Sequence, residues 1–322
     1  MTDARRMSLL TREDLVGSLF FPQPVRSPTP RDARDLFVDV DGARLHVRIH
    51  GEPWQPLVLF FHGNAETVAD YDDAARELTH RVQFAVTDYR GYGESTGRPT
   101  IQRLFDDTLA VFDAVRPHAP LAPVVMGRSL GSAAAWHLVE HRGAQLSGVI
   151  VDSGFSDLDA FARRRGLAPS ALTVGERRVL DPLPKAARCE VPALLLHGEE
   201  DSLIPLAEAV RVAKACPEDQ LTLVTLSGRG HNDVLLDPGW WQALDRFLHA
   251  RAPHPLLAAT LKDRPLTAPF RVVVDVSGRV TAHDTDTLEA ARAYAADVRL
   301  EGDDPARTLA LVFDARGLRR DG

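Results

Sequence analysis

Residues Gly127-Arg128-Ser129-Leu130-Gly131 read G-x-S-x-G, and they sit at a junction that few folds accept. An apolar run, Ala122-Pro123-Val124-Val125-Met126, leads in. A run of small residues, Ser132-Ala133-Ala134-Ala135, leads out into Trp136-His137-Leu138. That is a strand, a sharp turn and a helix. A turn this tight demands small residues on either side of the serine and pushes one hydroxyl out at the carboxyl end of the strand. The pentapeptide is a short pattern that chance produces often. Its setting makes it testable against the rest of the chain, because a serine hydroxyl is a poor nucleophile without a base and a carboxylate to orient that base.

The remaining chain has the texture such a turn requires. Leu36 to Ile49 alternates apolar and polar residues around Asp41-Gly42, which predicts an antiparallel hairpin. Leu57-Val58-Leu59-Phe60-Phe61 is continuously apolar, as in a strand buried on both faces. Strands are then expected at 82–87, 123–126, 146–151, 191–196 and 221–226, with helices at 65–80, 101–115, 206–215 and 240–251 between and after them. Strands alternating with helices argue a mostly parallel sheet with helices on both faces. Residues 155–189, rich in Arg, Leu, Asp and Pro, break the rhythm and read as a short cap over the carboxyl edge of the sheet.

The flanks read differently. Residues 1–30 combine apolar side chains with Pro22, Pro24, Pro28 and Pro30, which predicts a helix followed by a proline-rich arm. Residues 253–269 read as a linker, with Pro253, Pro255, Pro265 and Pro269 at or near its ends. Residues 270–322 have a ββαβ pattern, a small α+β module of unknown role. The expected organisation is therefore an arm (1–30), a catalytic domain (31–252), a linker and this module.

Of the 322 residues, charged side chains sum to a net −7, which gives no electrostatic case for nucleic acid or an anionic membrane. No run approaches the ~18 apolar residues of a membrane span. Met1 to Arg6 lacks the apolar core of a signal peptide, and the two cysteines, Cys189 and Cys216, stand far apart in sequence. A cytoplasmic location is the expectation.

The partners Ser129 needs are present in order. Asp201 follows the strand at 191–196, in His197-Gly198-Glu199-Glu200-Asp201. His231 follows the strand at 221–226, in Gly230-His231-Asn232-Asp233. Both fall past a strand's carboxyl end, where Ser129 emerges. Asp152, after the strand at 146–151, competes with Asp201 for the acid's role.

These motifs, with Phe61-His62-Gly63-Asn64-Ala65, Asp88-Tyr89-Arg90-Gly91-Tyr92-Gly93-Glu94-Ser95 and the arm Phe20-Phe21-Pro22-Gln23-Pro24, resemble the α/β-hydrolase superfamily. Within it, the chain is most similar to a soluble branch of serine hydrolases that includes esterases, peptidase-like members and protein depalmitoylases. The resemblance spans about residues 15 to 252. It implies the α/β-hydrolase fold, a Ser129–Asp201–His231 triad, and an oxyanion hole from the backbone N–H groups of Leu130 and of Asn64, with Ala65 as the alternative donor.

Other residues have blander readings. His137-Leu138-Val139-Glu140-His141 is H-x-x-E-H, a zinc-peptidase pattern, but it lies on the helix that begins at the serine turn. No metal and no cofactor are expected. Arg163-Arg164-Arg165 in the cap reads as a solvated face, with attraction of an anionic substrate as the alternative. The expectation is a serine hydrolase acting on an ester or thioester of a small-molecule or acyl substrate. Acyl transfer or peptide cleavage by the same residues, or a binding protein with a degenerate site, are the alternatives.

Overall fold

The computed structural model describes residues 19–276, 278–301 and 308–320. The helix expected near Leu15 and Val16 lies outside them. In chain order the elements are β1 (Ala33–Val40), β2 (Ala43–His50), β3 (Leu57–Phe61), α1 (Asp72–Leu78), β4 (Gln83–Thr87), α2 (Ile101–Val115), β5 (Val124–Arg128), α3 (Gly131–Arg142) and β6 (Gly148–Asp152). The cap follows as α4 (Leu158–Arg164), α5 (Val174–Leu180) and α6 (Leu183–Ala187). Then come β7 (Ala193–Gly198), α7 (Leu206–Ala215), β8 (Leu221–Leu226) and α8 (Pro238–His249). The remainder is α9 (Pro255–Asp263), β9 (Phe270–Val276), β10 (Arg279–Thr285), α10 (Leu288–Glu301) and β11 (Thr308–Asp314).

Eight strands form one sheet in the order β1-β2-β4-β3-β5-β6-β7-β8. The β1–β2 hairpin turns at Asp41-Gly42, where Gly42 takes φ +69°. It joins β4 in antiparallel register, and from β4 to β8 all pairs are parallel. β3, β5, β6 and β7 are buried along their whole length. A strand covered on both faces must be apolar on both, which is why these runs do not alternate. β8 ends the sheet and is only partly buried.

One core packs α2, α3 and the cap helices against one face, and a second packs α1 and α8 against the other. α3 is nearly all buried; its Ala133, Ala134 and Ala135 let it lie close to the sheet. Because β3, β5, β6, β7 and β8 run the same way, the loops after them gather on one edge.

Two stretches differ from expectation. The helix anticipated over 65–80 begins only after Thr67 and Asp70 cap a short turn at Val68–Tyr71, because Ala65 holds φ +65° and interrupts helical backbone. Within 253–269, read as a linker, residues 255–263 are helical. Pro255 sits in the first turn, where its missing N–H costs nothing, and the His254 side chain caps Leu256 N–H. Leu257 and Leu261 of this helix are buried against Val273, Leu311 and Phe313.

β10-β9-β11 form a separate antiparallel sheet. β9 alternates: Val273 faces α9, while Val272 and Val274 face Ala291 and Ala295 of α10. This small sheet therefore has a helix on each face. It meets the large sheet at the start of β5, where Ala122 N–H bonds to Ala315 C=O at 2.8 Å and Leu121 joins the α9 core. That is the amino edge of the strands, opposite Ser129.

Candidate active site

Ser129 follows β5 with φ +49°, a left-handed conformation that costs a non-glycine residue about 1–3 kcal/mol. Neither flanking glycine has a positive φ; their role is space. A Cβ on Gly127 would stand 2.2 Å from the Gly131 carbonyl oxygen, and one on Gly131 would stand 2.0 Å from the Phe61 carbonyl oxygen. The strain falls on the serine, and the glycines allow α3 to start against β3. Ser129 N–H bonds to Asp152 C=O at 2.9 Å, and the Ser132 hydroxyl donates to Ser129 C=O at 2.6 Å.

The three residues read from the sequence meet at this edge. Ser129 Oγ lies 3.0 Å from His231 Nε2, and His231 Nδ1 lies 2.7 Å from Asp201 Oδ2. The other oxygen of Asp201 accepts N–H bonds from Leu203 at 2.9 Å and Ile204 at 2.7 Å, so the carboxylate cannot swing. Burial favours its neutral form, but the His231 bond and the Ile204 N–H outweigh this and hold it below the usual carboxylate range. Ser129 and Asp201 are buried, and the His231 side chain is 10% exposed. The histidine loop comes close to the acid loop: a Cβ on Gly198 would stand 2.3 Å from Arg229 C=O.

Asp152 is placed elsewhere. Its carboxylate receives the Ser153 hydroxyl at 2.9 Å and faces Arg128 Nη1 at 3.5 Å, behind the site. The imidazole turns its Nδ1 to Asp201.

The loop expected to supply the second oxyanion donor follows β3. Among the described residues, the N–H groups of Asn64 and Leu130 have no hydrogen-bond partner, whereas Ala65 N–H is held by Asn64 Oδ1 at 3.1 Å. This geometry favours Asn64 over Ala65 as the second donor. The Asn64 side chain anchors the arm: its Oδ1 accepts from Phe21 N–H at 2.9 Å and from the Tyr92 hydroxyl at 2.5 Å, and its Nδ2 donates to Leu19 C=O at 3.1 Å.

Arg128, which beside Ser129 in the sequence reads as a residue that holds its loop, belongs to a brace beneath the serine turn. The Arg128 guanidinium, almost wholly buried, donates to Glu66 at 3.1 Å and to His231 C=O at 2.9 Å, and it faces Asp152. Glu66 in turn accepts Gly63 N–H at 2.5 Å and the Tyr71 hydroxyl at 2.6 Å. One cation thus ties the loop after β3, β6 and the histidine loop together. Its partners Glu66 and Tyr71 left no signal in the sequence.

His62 serves this support as well. Its Nε2 lies 3.5 Å from Asp88, whose other oxygen faces His46 Nδ1 at 2.9 Å. Burial opposes charge on Asp88, yet the two imidazoles overcome it and bring its pKa down to about 2. Burial likewise opposes charge on His46 and His62, and Asp88, with Asp35 at His46, pushes both up. The depressed carboxylate stabilises the fold above its ordinary 3.8 and loses that contribution as pH falls toward 2. The raised histidines stabilise it below 6.5 and lose that as pH rises through their folded values. Asp88→Asn is therefore expected to lower the urea midpoint most at pH ~4–6.5, with a smaller penalty on either side. A uniform penalty from acid to alkaline pH would exclude the charged arrangement.

The H-x-x-E-H residues sit on α3. Ligand atoms of His137, Glu140 and His141 come within 4.8 Å of one another. Glu140 is already paired with Arg188 at 2.9 Å and Lys185 at 3.6 Å, and His137 stacks on Phe105 with ring centroids 4.6 Å apart. Burial, aided by His141 and Lys185, brings the His137 pKa down to about 3. Cys189 and Cys216 are free and buried; burial pushes the Cys216 thiol up to about 12.

Several known proteins share part of this chain's pattern. The serine aminopeptidase, S33 family matches residues 52–174. YfhR of Salmonella typhimurium is 31% identical over 219 residues, covering 61% of this chain and 74% of its own. The α/β hydrolase domain-containing protein aho-3 of Caenorhabditis elegans is 26% identical over 200 residues, covering 61% of this chain and 58% of its own. A hydrolase from Pseudomonas aeruginosa superposes with a TM-score of 0.54 at 21% identity, over 68% of this chain and 98% of that one. With the mostly parallel sheet and the strand–turn–helix at Ser129, these matches make the chain a member of the α/β-hydrolase superfamily.

Proposed function

We propose that this chain is a serine hydrolase that cleaves a carboxylic ester or thioester through an acyl-enzyme. The observation that carries the reading is the continuous Ser129–His231–Asp201 chain, at 3.0 and 2.7 Å, with the serine on a strained turn. His231 Nε2 takes the hydroxyl proton as Ser129 Oγ attacks the carbonyl carbon. The Asn64 and Leu130 N–H groups receive the charge that develops on the carbonyl oxygen, each contributing about 3–4 kcal/mol to the barrier lowering. His231 returns the proton to the departing alcohol or thiol. It then deprotonates a water that attacks the acyl carbon, and gives that proton to Ser129 Oγ as the acyl–serine bond breaks and the carboxylic acid leaves. Asp201 orients the ring and stabilises the imidazolium in both halves. We assign this chemistry to residues 31–252, with 155–189 as the cap that shapes the substrate pocket and 270–322 as a module outside the reaction.

The match to the serine aminopeptidase family favours one second reading, in which the leaving group is an amine and the substrate an aminoacyl amide. A fluorophosphonate probe should label wild type on the peptide containing Ser129. Brief incubation with p-nitrophenyl butanoate and acid quenching should add a butanoyl mass to that same peptide. Labelling elsewhere, or none, would overturn the assignment. Release of p-nitroaniline from aminoacyl p-nitroanilides in place of ester turnover would select the second reading.

A further inference from the structure

The cap carries three consecutive arginines, and they are used differently. Arg164 donates to the buried Glu208 at 2.9 Å, and Arg163 is exposed. Arg165, where α4 ends, is partly buried. Its guanidinium lies 5.5 Å from the centroid of the Phe21 ring and 5.7 Å from that of Phe161. Among the described residues it has no side-chain hydrogen bond and no carboxylate partner. The nearby acids have other partners: in the cap, Asp157 faces Arg211, Asp159 faces Arg177, Glu176 accepts from Thr173 and Asp181 accepts from Leu183 N–H, while Glu208 of α7 pairs with Arg164. Contact with aromatic faces leaves the five N–H donors of a guanidinium unfilled. Burial without a counter-ion disfavours the charge, and lowers this arginine's pKa.

The position gives that charge a use. Phe21 donates its N–H to the Tyr92 hydroxyl at 2.8 Å and to Asn64 Oδ1 at 2.9 Å. The arginine is also near enough to Tyr92 to influence its hydroxyl, where burial dominates and Arg165 acts against it. The guanidinium thus touches the arm through the Phe21 ring and the cap through the Phe161 ring, and the backbone of Phe21 is bonded to Asn64.

Resting on the hydrolase reading above, we propose that Arg165 binds an anionic group on the substrate, so that this enzyme prefers esters carrying a carboxylate or phosphate. The anion can sit on the acyl or the alcohol side, and paired substrates separate the two. On the acyl side, mono-p-nitrophenyl glutarate is compared with p-nitrophenyl pentanoate. On the alcohol side, p-butanoyloxybenzoate is compared with phenyl butanoate. In at least one pair, wild type should favour the anionic ester, and Arg165→Gln should reduce that preference by about 10- to 100-fold, the strength of a charge-assisted hydrogen bond. Turnover of the neutral ester should fall far less than that of the anionic one, Arg165→Lys should keep part of the preference, and added salt should weaken it. Ser129-dependent turnover with charge ratios equal in wild type and Arg165→Gln would overturn the inference and leave the hydrolase intact. An equal loss on neutral and anionic esters would overturn it too, as the mark of a structural role. Absence of Ser129-dependent turnover on all four esters would overturn both readings.

Discussion

Ser129→Ala is expected to lower kcat for p-nitrophenyl butanoate by about 10⁶-fold, to the background left by binding and the oxyanion donors alone. The size follows from the geometry. His231 Nε2 is 3.0 Å from this one hydroxyl, so removing the hydroxyl removes attack and the proton transfer together. The substitution also removes a polar atom from a residue whose backbone is already at φ +49°, which alanine tolerates no worse than serine. The variant should therefore fold with an unchanged urea midpoint. Turnover equal to wild type in a folded variant would refute the acyl-enzyme mechanism outright.

The second large effect separates two carboxylates. Asp201→Asn is expected to cost about 10⁴-fold in kcat, because an amide facing Nδ1 favours the wrong tautomer and does not stabilise the imidazolium. Asp152→Asn should instead leave kcat within about tenfold and lower the denaturation midpoint, since it disturbs the buried Arg128 brace rather than the imidazole. The two variants should exchange behaviour only if Asp152 is the acid. The 2.7 Å separation between His231 Nδ1 and Asp201 argues for the first outcome.

The architecture was legible where physics leaves a strong trace in composition. A strand covered on both faces has to be apolar throughout, so β3, β5, β6 and β7 announce themselves. A turn in which a Cβ would meet a carbonyl oxygen at 2.0 Å has to be glycine, so the serine turn does too. Asp201 and His231 were found because the direction of the strands fixes which edge their loops reach. That Arg128 holds its loop was legible, but its brace partners Glu66 and Tyr71 were not. The members of the brace lie far apart in the chain, and a buried ion network has no local periodicity to betray it. Prolines misled at 253–269, because a proline in a helix's first turn and a proline in a linker look alike until Leu257 and Leu261 are seen buried on one face. The unpaired state of Arg165 was equally invisible, since only the positions of Glu208, Asp157 and Asp159 reveal which charges are already spoken for.

The docking of the small sheet against residues 121 and 122 has a consequence for how the molecule can be held. The strands carry Ser129 at one pole and this appendage at the other. Anything that grips the appendage, whether an immobilising surface or a fused protein, therefore leaves the edge that carries Ser129 pointing outward. Tethering by the carboxyl-terminal end should preserve access for bulky substrates, whereas tethering through the arm at Phe21 would crowd the very loop that offers Asn64.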